Sequence, residues 1–230
     1  MKKILLKLSG ESLGKNGVSE NLVLKVAKEI AAINNKGIAV AIVIGGGNIW
    51  RFRDNRGLTA LSRTQSDFLG MLATVFNGTV LAAALQKLEI DATAFSAIAA
   101  PKIIEKYSIT VAKKILKKGG VVVLAGGTGH PFVTTDTAAA LRAAELKCDR
   151  VLKATNVDGV YSADPKHTRS AKLLTKLSFA KAIREKLGVM DIEAFRILRD
   201  NKIPLTVFNF GKKGLLTQAA TRQNVGTEIK

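Results

Sequence analysis

The stretch 126–140, GGTGHPFVTTDTAAA, holds the densest set of residues able to do chemistry in this 230-residue chain. It follows Val121-Val122-Val123-Leu124-Ala125, whose consecutive valines predict a buried strand. Gly126, Gly127, Gly129 and Pro131 then interrupt regular structure, and Thr134-Thr135-Asp136 before an alanine run has the composition of a capped helix start. A strand, a glycine loop and a helix N-terminus in that order suit an anion, because the helix start carries partial positive charge and unpaired N–H donors. Asp136 is out of keeping with a bare anion site. A carboxylate beside bound phosphate is accommodated if a cation, lysine or Mg²⁺, lies between the two. An ordinary capped helix following a strand is the alternative for this stretch taken alone.

Three further stretches have unusual chemistry where an apolar run ends. Lys7-Leu8-Ser9-Gly10 closes the first, with a lysine interrupting the run and a glycine that permits close backbone approach; a lysine reaching out of an edge strand is the plainer account. Gly45-Gly46-Gly47-Asn48 closes the second and matches neither the dinucleotide fingerprint nor the P-loop. The last is KATNVDGVYSADP at 153–165, with Lys153, Thr155, Asn156, Tyr161 and Asp164. In open parallel sheets, ligands bind at the carboxyl ends of the strands. Together the stretches supply two lysines, several aspartates and many backbone donors, the inventory of phosphoryl transfer, in which positioning and electrostatics do nearly all the work. A Ser/His/Asp hydrolase is disfavoured, since GxSxG is absent and His130 and His167 are the only histidines.

The elements that must position these stretches follow from periodicity. Strands are predicted at 3–9, 38–44, 91–95, 121–125, 150–154, 173–177 and 204–208, and helices at 22–33, 66–88, 108–118, 135–147, 179–187 and 191–201. The tail from 211 reads as a helix and a short edge strand. Residues 51–64 look like a surface loop. The helix at 66–88 is apolar all round, which predicts burial or a subunit interface. Strands and helices alternate, so the fold class is α/β: a mainly parallel central sheet sandwiched by helices, in one domain spanning 1–230.

Composition is that of a globular protein, 47% hydrophobic and 23% charged. The single cysteine, Cys148, excludes an intrachain disulfide and a cysteine-based zinc site and points to a reducing, cytoplasmic setting. The start is too short and polar for a signal peptide, and no uninterrupted apolar stretch reaches the length of a membrane span. Net charge is +18. Nucleic-acid binding, polyphosphate ligands or no partner at all are each compatible with it; the lysines are scattered and aromatics are only 5%, so no specific nucleic-acid binding is expected.

LLKLSGE at the N-terminus, IVIGGGNIWR at 42–51, DFLGMLATVFNG at 67–78, GGTGHPFVTTD at 126–136, VLKATNVDGVYSADP at 151–165 and VMD at 189–191 resemble the amino acid kinase superfamily. Within it they are similar to the bacterial-type uridylate (UMP) kinases, over essentially the whole chain. Aspartokinases, glutamate 5-kinases and N-acetylglutamate kinases share the lysine–glycine start and the glycine loop, but not GMLATVFNG or TGHPFVTTD in this form.

The resemblance implies an amino acid kinase-like fold and transfer of the ATP γ-phosphoryl group to UMP, giving UDP for pyrimidine nucleotide biosynthesis, with Mg²⁺. It implies that Lys7, Leu8, Ser9, Gly10, Gly47 and Arg51 lie at the ATP phosphates, and that Thr155, Asn156, Tyr161 and Asp164 hold the adenosine end. Gly46, Asp67 and the run Thr128, Gly129, His130, Pro131, Phe132, Val133, Thr134 and Thr135 would bind UMP, Asp67 through the ribose hydroxyls. Lys7 would neutralise charge on the transferred group and Asp136 would orient the lysines or Mg²⁺, with Lys153 a second cation. A homohexamer, GTP activation and UTP inhibition are also implied. Two departures stand out: the loop 14–19 is shorter than the family region linked to GTP response, and His130 stands where asparagine is usual. Another kinase of this fold acting on a carboxylate or carbamate, and a nucleotide- or nucleic-acid-binding regulator without catalysis, are the competing readings.

Overall fold

The computed structural model describes residues 1–52, 54, 60–163, 168, 170–221 and 225–230. Its centre is a nine-stranded sheet in the order β4-β3-β5-β2-β1-β6-β10-β11-β9. The inner strands are β1 (Lys3–Leu8), β2 (Ala39–Ile44), β5 (Val121–Ala125), β6 (Arg150–Thr155) and β10 (Leu205–Asn209). β3 (Ala92–Ser96) and β4 (Glu105–Lys106) extend one side, β11 (Thr227–Ile229) and β9 (Lys176–Leu177) the other. All pairings in this sheet are parallel except β10–β11. The mainly parallel α/β architecture is therefore the one the alternation of elements predicts.

Continuous apolar runs are what a parallel sheet covered on both faces requires, and β2 is buried at every position. Its alternate side chains feed two cores. Ala39, Ala41 and Val43 join Leu5, Val122 and Leu124 under α3 (Ile109–Lys117), α4 (Thr135–Leu146), α5 (Phe179–Arg184) and α6 (Ile192–Asp200). Val40, Ile42 and Ile44 join Ile4, Leu6 and Leu8 under α1 (Glu20–Asn34), α2 (Arg63–Gln86) and α7 (Leu215–Thr221). The period of two decides the chemistry as well as the packing. Lys7 shares the face of Leu5, and Lys153 shares the face of Val151, so both lysines point toward the layer that contains α4.

Several predicted boundaries need correction. The segment 173–177 is not one strand: β8 (Leu173–Leu174) pairs antiparallel with β7 (Val160–Tyr161) in a small second sheet, while β9 pairs with β11. α2 begins at Arg63 instead of Ser66, because Ser62 and Gln65 form a reciprocal capping box. Part of the expected loop 51–64 is thus helix; residues 53 and 55–59 lie outside the described residues. α2 is also long and apolar enough to cross a membrane by length and composition, whereas no such stretch was expected. Half of its apolar window is buried, and Leu81, Ala82 and Leu85 pack into the core. The face turned outward exposes Phe68, Leu72 and Phe76 at 40, 50 and 55%.

Candidate active site

Lys7 and Lys153 are register partners on the neighbouring parallel strands β1 and β6. Two ammonium groups side by side repel, and both side chains are about nine-tenths buried. Asp136, in the first turn of α4, lies between them: Oδ1 is 3.1 Å from Lys7 Nζ and Oδ2 is 2.5 Å from Lys153 Nζ. Burial works against charge on the Asp136 carboxyl, yet the two lysines outweigh it and hold the group below the ordinary aspartate value. Burial first, and Lys7 after it, push the Lys153 ammonium below the ordinary lysine value, against the opposing pull of Asp136. The trio keeps one positive charge in excess, directly beneath the loops that follow β1, β2 and β5.

Those loops enclose a cleft of about 430 Å³. Lys7, Ser9 and Gly10 line it from β1, and Gly46, Gly47 and Arg51 from the triple-glycine turn. Asp67 lines it from α2, and Thr128, Val133, Thr134 and Thr135 from the loop after β5. Residues chosen from separate stretches of sequence for the two substrates thus meet in one cavity. Gly46 permits the closeness: a Cβ there would sit 2.7 Å from Gly70 O on α2. Arg51 Nε donates to Gly47 O at 2.7 Å and its guanidinium pairs with Glu11.

The loop after β5 is held at both ends. Gly126 has φ +73°, and a Cβ would lie 2.8 Å from Ala97 N, so both conformation and space demand glycine. Its N–H donates to Thr74 Oγ1 at 2.7 Å. Phe132 also adopts a left-handed φ of 65°, and its N–H donates to Asp67 Oδ2 at 2.8 Å while Arg63 Nε donates to Oδ1 at 2.8 Å. Thr134 caps α4 by accepting from Asp136 N at 3.1 Å, and its hydroxyl donates to Asp191.

Other proposed contacts lie elsewhere. Leu8 is fully buried in the core beneath α1 and α2, so only its backbone can face a ligand. Gly129, His130, Pro131 and Phe132 stand outside the cleft lining, with Phe132 67% exposed and His130 Nδ1 3.2 Å from Thr128 O. Thr155, Asn156 and Tyr161 sit at and beyond the end of β6, next to the β1 loop but not on the cleft wall; the Thr155 hydroxyl has Val157 O at 2.8 Å and Phe208 O at 3.1 Å as acceptors for its one proton. Asp164 falls outside the described residues.

Sequence reasoning missed Trp50, Arg63, Ser66, Met71 and Thr74, all on the cleft wall, and Asp191, which accepts from both Thr134 and Thr137. A helical projection of 63–78 places Arg63, Ser66, Asp67, Gly70 and Thr74 on one stripe, and that was the available signal for α2. Asp191 was marked only as part of the VMD run at 189–191, with no role attached.

The model of the amino acid kinase family matches residues 2–209. The chain is 42% identical to the chloroplastic uridylate kinase PUMPKIN of Arabidopsis thaliana, across 99% of this chain and 68% of that protein. The crystal structure of UMP kinase from Bacillus anthracis superposes with a TM-score of 0.96 at 36% identity, covering 100% of this chain and 96% of that one. UMP kinase from Ureaplasma parvum superposes at 0.94 and 35% identity, with 100 and 98% covered.

Proposed function

The chain belongs to the amino acid kinase family, and on that premise we propose that it is a uridylate kinase, transferring the ATP γ-phosphoryl group to UMP. The Lys7–Asp136–Lys153 trio under a cleft bounded by both glycine loops carries this reading. A UMP phosphate oxygen forms the new bond to the γ-phosphorus as the bond to the β,γ-bridging oxygen breaks, and ADP leaves. The phosphate is already an anion, so no base has to remove a proton, and the protein's task is to align two polyanions and offset their repulsion.

Lys7 neutralises the transferred group, Asp136 holds Lys7 and Lys153 apart and aimed upward, and Ser9, Gly10, Gly47 and Arg51 face the ATP phosphates. Thr155, Asn156, Tyr161 and Asp164 take the adenosine end, where a tyrosine ring offers a stacking face and a carboxylate accepts hydroxyl protons. Gly46, Asp67 and residues 128–135 receive UMP, with Asp67 at the ribose hydroxyls.

The donor set suits Mg²⁺ in one respect. Asp136 Oδ1 is buried with no hydrogen-bond partner, although Lys7 Nζ is near, which leaves a carboxylate lone pair for a hard cation. Among the described residues no three acidic, histidine or cysteine side chains cluster, so Asp136 and the nucleotide phosphates would hold the ion. Bound there, Mg²⁺ would supply further charge neutralisation at the phosphates.

The continuous sheet supports a single domain over 1–230; the similarity to uridylate kinases supports a place in pyrimidine nucleotide biosynthesis, and the lone cysteine suits a reducing, cytoplasmic setting. The outward stripe Phe68, Leu72 and Phe76 on α2 supports assembly of copies through that helix; a homohexamer with GTP as activator and UTP as inhibitor is what the resemblance implies for that assembly. Phe76→Asp is expected to shift the light-scattering mass to a smaller species, and an unchanged mass would place the interface elsewhere. A coupled ADP-release assay over UMP, CMP, dUMP, aspartate and glutamate tests the activity itself. Turnover is expected with UMP foremost; none with UMP at high enzyme concentration would refute the assignment.

A further inference from the structure

We propose that Thr74 and Asn77, buried polar side chains in the apolar helix α2, are positioning residues that set the acceptor loop and the triple-glycine loop separately. The inference rests on the uridylate kinase reading. Thr74 is 3% exposed and Asn77 is fully buried. A helix that only filled space there would use valine and leucine, since burying a hydroxyl or amide has a cost that hydrogen bonds must offset.

Both side chains spend their bonds on the loops. Thr74 Oγ1 donates to Met71 O at 2.6 Å and accepts from the Gly126 N–H at 2.7 Å. Asn77 Nδ2 donates to Gly45 O at 2.8 Å and to Asn48 Oδ1 at 2.7 Å, while Asn48 Nδ2 donates back to Asn77 Oδ1 at 3.2 Å. The second Asn48 proton goes to Gly17 O at 2.7 Å, so the amide pair has no spare donor and also fixes the loop before α1.

The two residues are about one helical turn apart and face the same way, one toward the acceptor loop and one toward the triple-glycine loop, whose Gly47 faces ATP and whose Gly46 faces UMP. Each loop has a hydrogen bond of its own, Gly129 N–H to Gly126 O at 2.9 Å in the first and Ile49 N–H to Gly46 O at 2.9 Å in the second, but its placement over the cleft needs an outside anchor. The first pivots on Gly126 at φ +73°, and the second has three consecutive residues without side chains. Rigid placement therefore comes from α2. Thr74 fixes where the UMP loop starts; Asn77 fixes how near the triple glycine comes to the transferred group.

The two roles predict opposite kinetic splits. Thr74→Val keeps the volume and leaves the Gly126 N–H unpaired; KM for UMP is expected to rise about tenfold with KM for ATP within about twofold. Thr74→Ser, which restores the acceptor, should recover the wild-type UMP value. Asn77→Ser should lower kcat and raise KM for ATP, each about tenfold, with KM for UMP, which meets this loop only at Gly46, rising clearly less than KM for ATP. Unfolding midpoints are measured alongside. Lower midpoints with unchanged kinetics, both KM values moving in equal proportion, or a Thr74→Val chain that does not fold would each reduce these residues to structural support and overturn the proposal. Wild-type turnover in the substrate panel tests the kinase reading itself. Should another acceptor emerge there, the same ratios are read with that acceptor, so the two failures are distinguishable.

Discussion

Asp136→Asn is expected to lower kcat about 10³-fold with the fold intact, since it removes a preorganised charge at the reacting centre. Asparagine has the same shape and its backbone N–H still bonds to the Thr134 cap. What disappears is the negative charge between two ammonium groups on paired strands. Lys7 and Lys153 then repel at close range, and the lysine aimed at the transferred group turns away or sheds its proton. Steady-state kinetics with circular dichroism checks this; wild-type turnover would remove Asp136 from the site. Stability carries a matching signature. A carboxyl held below its ordinary value of 3.8 stabilises the fold above that pH, and the contribution is lost as pH falls through the lowered value. The difference in urea midpoint between wild type and Asp136→Asn should therefore shrink on acidification below 3.8.

Lys7→Met is expected to cost about 10²- to 10³-fold in kcat with KM for UMP nearly unchanged, because a transition-state charge contact is lost while the acceptor pocket is not touched. Methionine matches the length of the lysine stem, and its strand neighbours Ile4, Leu5, Leu6 and Leu8 are all apolar. Asp136 keeps Lys153 as its partner at 2.5 Å. Single-turnover phosphoryl transfer and a thermal melt separate the effects. A chain that melts as wild type but no longer transfers phosphoryl supports the role; a rise in KM for UMP with normal kcat would move Lys7 to acceptor binding.

The strands, most helices and the four strand-end loops were legible because each has a local signal: an apolar run, a helical period, or a glycine cluster. The joint placement of Lys7, Ser9, Gly46, Asp67 and Thr134 was reached through motif resemblance, and the structure brings them onto one cleft. What escaped was relational. β4 and β7 have two residues each and exist only by virtue of a neighbouring strand. The Ser62–Gln65 capping box lay in a stretch too rich in arginine and polar groups to show a period. Thr74 and Asn77 lay inside DFLGMLATVFNG, which carried the family resemblance, but nothing there marked their separate roles, since those lie in loops about 50 and 30 residues away. Asp191 stood in the VMD run at the start of a predicted helix with no role attached, and its contact with Thr134 spans 57 residues.

The like-charged pair at register on β1 and β6 also bears on the order of assembly. Asp136 lies 17 residues from Lys153 along the chain but roughly 130 from Lys7, a difference worth about 2 kcal/mol in loop-closure entropy. The α4–β6 hairpin of charge can close early and locally, masking one lysine. If that pair forms first, β1 brings Lys7 to an edge whose charge is already half neutralised. On this account Asp136→Asn is expected to slow refolding of the central strand as well as turnover, which stopped-flow refolding of wild type and variant checks.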